Sequence, residues 1–273
     1  MDASVLIPEV ASVKTRLKNI WMAGDYDRFS RYLESSARDF YERLHLAPGC
    51  RLLDVGCGSG QLALMAAKDG LEVTGVDIAS NLVERARARA QAEGLRARFE
   101  EADAEALPCE DASFDVVASL IGAMFGPRPD LVAKELLRVC KPGGTIAMAN
   151  WTPQGFIGQM FKAVTKFIAP SGMPSPVLWG DEITVRERLG KGLTDLHLTR
   201  RHYTFSYPFP PSEVVDFFRL YYGPINQAFA SLDVGGCDSL RQELEALWSS
   251  HNRAGTDCTT VFGEYLEVIG IRA

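Results

Sequence analysis

Long apolar runs are missing from this 273-residue chain, and nothing in it approaches the roughly 18 apolar residues that a membrane span needs. The first ten residues carry Asp2, Pro8 and Glu9 where a secretory signal would carry a basic stretch and then an apolar one. A cytoplasmic protein without a membrane span is expected. Metal ligands are scarce too: the six cysteines (Cys50, Cys57, Cys109, Cys140, Cys237, Cys258) include no C-x-x-C pair, and no histidine stands at ligand spacing from them. That pattern argues against zinc and for reduced, mostly buried thiols. Positive charge is also short. Lys and Arg number 29 against 35 Asp and Glu, for a net charge of -6, which opposes a nucleic-acid partner because phosphate contacts need clustered cations. The one basic cluster, Arg85, Arg87, Arg89, Arg96 and Arg98, lies largely on a helical stretch beside Glu84 and Glu93 and reads as a solvated face.

What is present is an alternation. Strand-like runs at Arg51 to Val55, Glu72 to Val76, Ala97 to Glu101, Phe114 to Ser119 and Gly144 to Asn150 are separated by helical stretches, which predicts βαβ units and a parallel sheet. Ser80 reads as a helix N-cap, and a helix over Asp130 to Cys140 is expected to stop at a tight turn, Lys141-Pro142-Gly143-Gly144. Ile20 to His45 reads as helical. Beyond the core, strands are expected at Leu196 to Tyr207 and Glu264 to Arg272, with Pro208 to Phe262 mostly helical. His197 and His202 stand five apart on the first of these, so they point to opposite faces and cannot pair.

The densest chemistry is Leu53-Asp54-Val55-Gly56-Cys57-Gly58-Ser59-Gly60, placed where the first strand gives way to a helix. Glycines there let the backbone turn sharply and approach a ligand, and the helix start offers free N–H groups. Asp77 ends the second strand, 17 residues after Gly60, about right for a carboxylate accepting from ribose hydroxyls. Dinucleotide enzymes and methyltransferases both use this layout. Dinucleotide enzymes favour G-x-G-x-x-G, whereas this chain has Asp54 followed by G-x-G-x-G.

That spacing resembles motif I of class I S-adenosylmethionine-dependent methyltransferases. The resemblance continues through Asp77, Ala102-Asp103-Ala104, Phe114-Asp115-Val116-Val117 and Leu137-Arg138-Val139-Cys140-Lys141-Pro142-Gly143-Gly144, an order similar to the ubiquinone/menaquinone-biosynthesis and small-molecule (methyltransferase type 11) branch. It covers roughly residues 20 to 151 well and the rest loosely. It implies an α/β, Rossmann-like seven-stranded mixed sheet with helices on both faces and the final strand antiparallel. Segment 1–45 would be a helical lid, 46–151 the S-adenosylmethionine-binding core, and 152–273 the completion of the sheet with helical cap insertions.

Carried over residue by residue, the resemblance implies that Gly56 and Gly58 pass beside the methionine part of the cofactor, with Asp54 steadying the loop or the ammonium. Asp77 would bind the ribose, Ile78 would pack on the adenine, Asp103 would accept from its exocyclic amine, and the N–H of Ala104 would meet a ring nitrogen. Trp21 and Tyr26 from the lid, Cys57 and Gly60 from the loop, and Ser119 at the end of the fourth strand complete the expected cofactor set. Met124, Phe125, Trp151, Phe156 and Tyr222 are the expected acceptor set. Where nucleobase amino methyltransferases carry Asn/Asp-Pro-Pro-Tyr, this chain reads Ser119-Leu120-Ile121-Gly122, which argues against a DNA adenine or glutamine acceptor; a small-molecule acceptor is expected. Methyl transfer by in-line displacement asks chiefly for alignment. No catalytic base is assigned. The competing readings are a noncatalytic S-adenosylmethionine-binding protein and a nucleotide-dependent oxidoreductase.

Overall fold

A computed structural model describes residues 3–168 and 173–273. Residues 169–172, within the expected closing half 152–273, lie outside the described residues. Seven strands form one sheet: β1 (Arg51–Val55), β2 (Glu72–Asp77), β3 (Ala97–Glu101), β4 (Phe114–Leu120), β5 (Cys140–Trp151), β6 (Leu193–Tyr207) and β7 (Thr259–Arg272). Their order is β3-β2-β1-β4-β5-β7-β6. The strands from β3 to β5 run parallel, and β7 is antiparallel to both of its neighbours. Leu52, Leu53 and Val55 of β1 are fully buried, as expected of a central strand covered on both faces. Each such side chain contributes about 1.5 to 3 kcal/mol. At the edge, β3 buries only Phe99 and turns charged residues outward.

The helices are α1 (Ala3–Met22), α2 (Tyr26–Ser30), α3 (Glu34–Arg43), α4 (Gln61–Lys68), α5 (Ser80–Ala92), α6 (Pro129–Val139), α7 (Phe156–Val164), α8 (Glu182–Leu189), α9 (Pro211–Tyr221), α10 (Gly223–Ala230) and α11 (Val234–His251). Helices α4, α5 and α6 cover the parallel half of the sheet, while α7, α9, α10 and α11 pack together as a cap with α1 and α2 against it.

Several expectations are corrected. The helical run from Ile20 breaks at Gly24, whose φ is +72°, and Asp25 caps α2 by accepting from the Arg28 N–H at 3.1 Å. A Cβ on Gly24 would stand 2.7 Å from the carbonyl oxygen of Tyr221, because Gly24 makes a β-bridge with Tyr222 that ties lid to cap. Ser80 makes no capping bond; Ala79 is the N-cap, and its N–H is satisfied by Asp77 Oδ1 at 2.9 Å. Lys141 to Gly144 are part of β5 rather than a turn before it, because Cys140 already pairs with Phe114 and the extra residues form a bulge. β7 begins at Thr259, five residues before the expected Glu264, because Ser206 and Tyr207 supply its pairing partners. The basic cluster is not a merely solvated face: Arg87 Nε donates to the Phe99 carbonyl at 2.9 Å, and Arg89 donates to the Ser59 carbonyl at 3.1 Å.

Candidate active site

The carboxyl ends of β1, β2 and β4 converge on the glycine loop. Gly56 and Gly58 take φ of +74° and +54°, which lets the N–H groups of Gly56 and Cys57 both donate to the Val76 carbonyl, at 2.8 and 3.0 Å. The Gly58 N–H donates to Asp77 Oδ2 at 2.8 Å. Gly56 faces Gly122 across the loop after β4, and a Cβ on Gly56 would lie 2.5 Å from the Gly122 Cα, so only a glycine pair permits the contact. Ser119 Oγ donates to the Val55 carbonyl at 2.6 Å and accepts from the Ala123 N–H at 2.8 Å, stapling the two loops together. Between them Ile121 holds φ at +61°, a strained conformation for a β-branched residue. Asp54 lies beneath the loop and accepts from the Ala63 N–H at 3.2 Å; burial pushes its carboxyl up to about 7. Burial also raises Asp77, against the backbone N–H groups that it accepts from.

Two adjoining cavities open on this loop. The first, about 770 Å³ with its mouth included, is bounded by Asp77, Ile78 and Leu82 on one side, Asp103 and Ala104 on another, Gly122, Phe125 and Pro127 on a third, and Lys14, Leu17 and Trp21 of α1 above. The second, about 730 Å³ likewise, runs from Asp54, Gly56 and Gly58 into Phe29, Leu33, Trp151, Ile157, Met160, Tyr203, Phe205, Phe218 and Tyr222. Trp21 and Tyr26 wall both. Their rings meet edge to face at 5.9 Å, Trp21 meets Phe125 at 4.8 Å, and Phe29 stacks on Tyr222 at 4.8 Å. The hydroxyls of Tyr26 and Tyr222 have no hydrogen-bond partner among the described residues, and burial raises the pKa of both. Tyr203 donates to the Leu33 carbonyl at 3.0 Å.

Of the expected cofactor residues, Trp21, Tyr26, Gly56, Gly58, Asp77, Ile78, Asp103 and Ala104 line the first cavity, and Asp54 and Cys57 line the second. Gly60 and Ser119 line neither. Gly60 is the left-handed N-cap of α4, packed on Leu64, and Ser119 is the buried staple beneath the wall. Of the expected acceptor residues, Trp151 and Tyr222 line the second cavity and Phe125 the first. Met124 and Phe156 line neither of these cavities: Met124 is buried in the core, and Phe156 packs on Trp248 with ring centroids 4.5 Å apart. Of the adjacent tyrosines, Tyr222 turns inward while Tyr221 packs on Phe217 and under Arg28. His197 and His202 are exposed and line neither cavity. The sequence reading missed Lys14, Leu17, Ser30, Gln61, Tyr203 and Phe205. Tyr203 and Phe205 alternate on β6 with exposed residues, a period-two signal that could have placed them on the inner face.

The donor set suits S-adenosylmethionine. Each Asp77 oxygen accepts one backbone N–H and keeps a further lone pair for a diol. The Ala104 N–H has no partner among the described residues. Asp103 accepts from the Glu105 N–H at 2.9 Å and is ion-paired with Lys14.

Residues 52–144 match the family described as a methyltransferase domain. An uncharacterized protein of Mycobacterium tuberculosis is 37% identical over 216 residues, 78% of this chain and 79% of that one. The 2-methyl-6-phytyl-1,4-hydroquinone methyltransferase of Synechocystis is 45% identical over 107 residues, 39% of this chain and 33% of that one. Among solved structures, the YcgJ protein of Bacillus subtilis superposes with a TM-score of 0.60 at 18% identity, covering 87% of this chain and 98% of that one, a likeness of fold. The chain belongs to the class I S-adenosylmethionine-dependent methyltransferases. It is an enzyme, a methyltransferase with S-adenosylmethionine as its cofactor.

Proposed function

We propose that the first cavity takes the adenosine of S-adenosylmethionine, that its methionine end crosses Gly56 and Gly58, and that the second cavity takes a compact, uncharged, largely apolar or aromatic acceptor. Bound there, the cofactor supplies an electrophilic methyl group. Asp77 holds the ribose, Ile78 and Leu82 cover the base, and the Ala104 N–H and Asp103 read its edge. Asp54 faces the ammonium. Segment 1–45 acts as the lid, 46–151 as the binding core and 152–273 as the closing half that brings the acceptor walls.

The observation that carries the acceptor reading is the composition of the second cavity. Phe29, Leu33, Trp151, Ile157, Met160, Phe205 and Phe218 surround it, the hydroxyls of Tyr26 and Tyr222 supply orientation, and among the described residues no Lys, Arg or His lines it. An enclosed apolar pocket with a few polar groups suits a small ligand, and a carboxylate or phosphate would find no counter-ion there. The Synechocystis relative is named for a hydroquinone, which supports an aromatic acceptor. Aromatic faces of Trp21 and Tyr26 beside the loop also suit a sulfonium cation. The chain's own contribution to rate is alignment and the exclusion of water by the lid. We further propose a cytoplasmic enzyme that acts on no nucleic acid.

The test is to incubate the protein with methyl-labelled S-adenosylmethionine and matched sets of phenols, hydroquinones, aromatic acids and short RNA or DNA. S-Adenosylhomocysteine should appear with the neutral aromatics. Turnover confined to anionic acceptors or nucleic acid would overturn the reading.

A further inference from the structure

The first cavity is closed by a contact that its own lining does not explain. Glu105, just past Asp103-Ala104, has a fully buried side chain, a rare place for a carboxylate unless it is paired. It is paired on two sides. Lys14 of α1 reaches Glu105 Oε2 at 2.6 Å and also touches Asp103. Arg128, the residue just before α6, donates its backbone N–H to Oε1 at 2.5 Å and its Nε to Oε2 at 2.8 Å. Lys14 belongs to the lid, and Phe125 to Pro127, immediately before Arg128, form the facing wall of the cavity. One buried carboxylate thus joins the two jaws that close on the proposed adenine site. Seven residues further along α1, two helical turns on the same face, Trp21 packs on Phe125 of that same wall at 4.8 Å. The lid is therefore held at two points, by charge to Glu105 at Lys14 and by rings to Phe125 at Trp21. Lys18, between them, pairs with Glu101.

We propose that Glu105 is a positioning residue for the cofactor, clamping lid helix α1 through Lys14 and the β4–α6 loop through Arg128, so that its charge sets how long a bound adenosine stays. The inference rests on the cofactor placement above. A partly exposed Lys14 makes the clamp sensitive to salt, whereas a purely structural Glu105 would leave ligand dissociation untouched.

The test measures S-adenosylhomocysteine association and dissociation by stopped-flow tryptophan fluorescence, with thermal midpoints as the folding control. Glu105→Gln and Lys14→Met should each raise the dissociation rate about tenfold with association little changed, and raising sodium chloride from about 50 to about 500 mM should speed dissociation from the wild type but not from Lys14→Met. Should Glu105→Gln fail to fold, Lys14→Met, which keeps the Glu105–Arg128 contacts, carries the test. Wild-type dissociation rates in both variants would overturn the proposal, as would tighter binding by Lys14→Met, which would make α1 an obstruction rather than a clamp. Asp77→Asn separates the layers: if it binds S-adenosylhomocysteine as the wild type does, the cofactor placement itself fails; if it binds weakly while the clamp variants are unchanged, only the role of Glu105 fails.

Discussion

Asp54 is the residue where stability and binding pull in opposite directions. Burial raises its carboxyl to about 7, so below that pH the folded protein favours the neutral acid. For a raised carboxylate the cost to stability is fully present above the folded pKa and vanishes below the unfolded one. Asp54→Asn, which can still accept from Ala63, should therefore melt higher than the wild type at about pH 8 and lose that advantage below about pH 4 by scanning calorimetry. Binding runs the other way. A bound ammonium favours the carboxylate, so affinity for S-adenosylmethionine should climb through neutral pH with release of a proton, while Asp54→Asn should bind weakly and with a flat pH profile in titration calorimetry. Asp54, Gly56, Gly58 and Asp77 were legible because strand ends and glycine spacing are local. Lys14 and Glu105 were not, since only the folded chain brings α1 to the turn after β3. Met124 and Phe156 show the converse: composition tells that a side chain will be buried, not whether it borders a cavity.

At the scale of elements, the lid divides in two. Lys14 and Lys18 touch the body through ion pairs at Asp103, Glu105 and Glu101, whereas Phe29 is buried in the core and a Cβ on Gly223 would stand 2.0 Å from the Ile20 carbonyl oxygen. Deleting residues 1–19 should thus weaken cofactor affinity while leaving the thermal midpoint within a few degrees of full length, and deleting 1–30 should strip a core aromatic and abolish cooperative melting. Equal affinity in a folded 1–19 deletion would exclude the lid. The βαβ half was readable because each strand is a short apolar run fenced by turn residues. The later half was less so: Thr259 to Phe262 was read with the preceding helical stretch although Thr, Val and Phe favour strands, and pairing with β6 puts it in β7. The break at Gly24-Asp25 was visible as a glycine followed by a capping carboxylate, yet the surrounding aromatic periodicity masked it.

For the whole molecule, the sheet order places β7 between β5 and β6, so the last strand is stitched into the core and the closing half has no sheet of its own. One cooperative transition is expected, with calorimetric and van't Hoff enthalpies equal, and two resolved transitions would contradict it. Cofactor at about 100 times its Kd should add about 2.7 kcal/mol and move that single transition by about 5 to 10 °C. Trp21 and Tyr26, which wall both cavities, impose an order of events. In the proposed arrangement the acceptor chamber is complete only when these rings are seated, and their seat overlies the cofactor chamber. Catalysis should then follow a compulsory sequence, cofactor on first and S-adenosylhomocysteine off last, so that in steady-state kinetics this product competes with S-adenosylmethionine but inhibits noncompetitively against the acceptor.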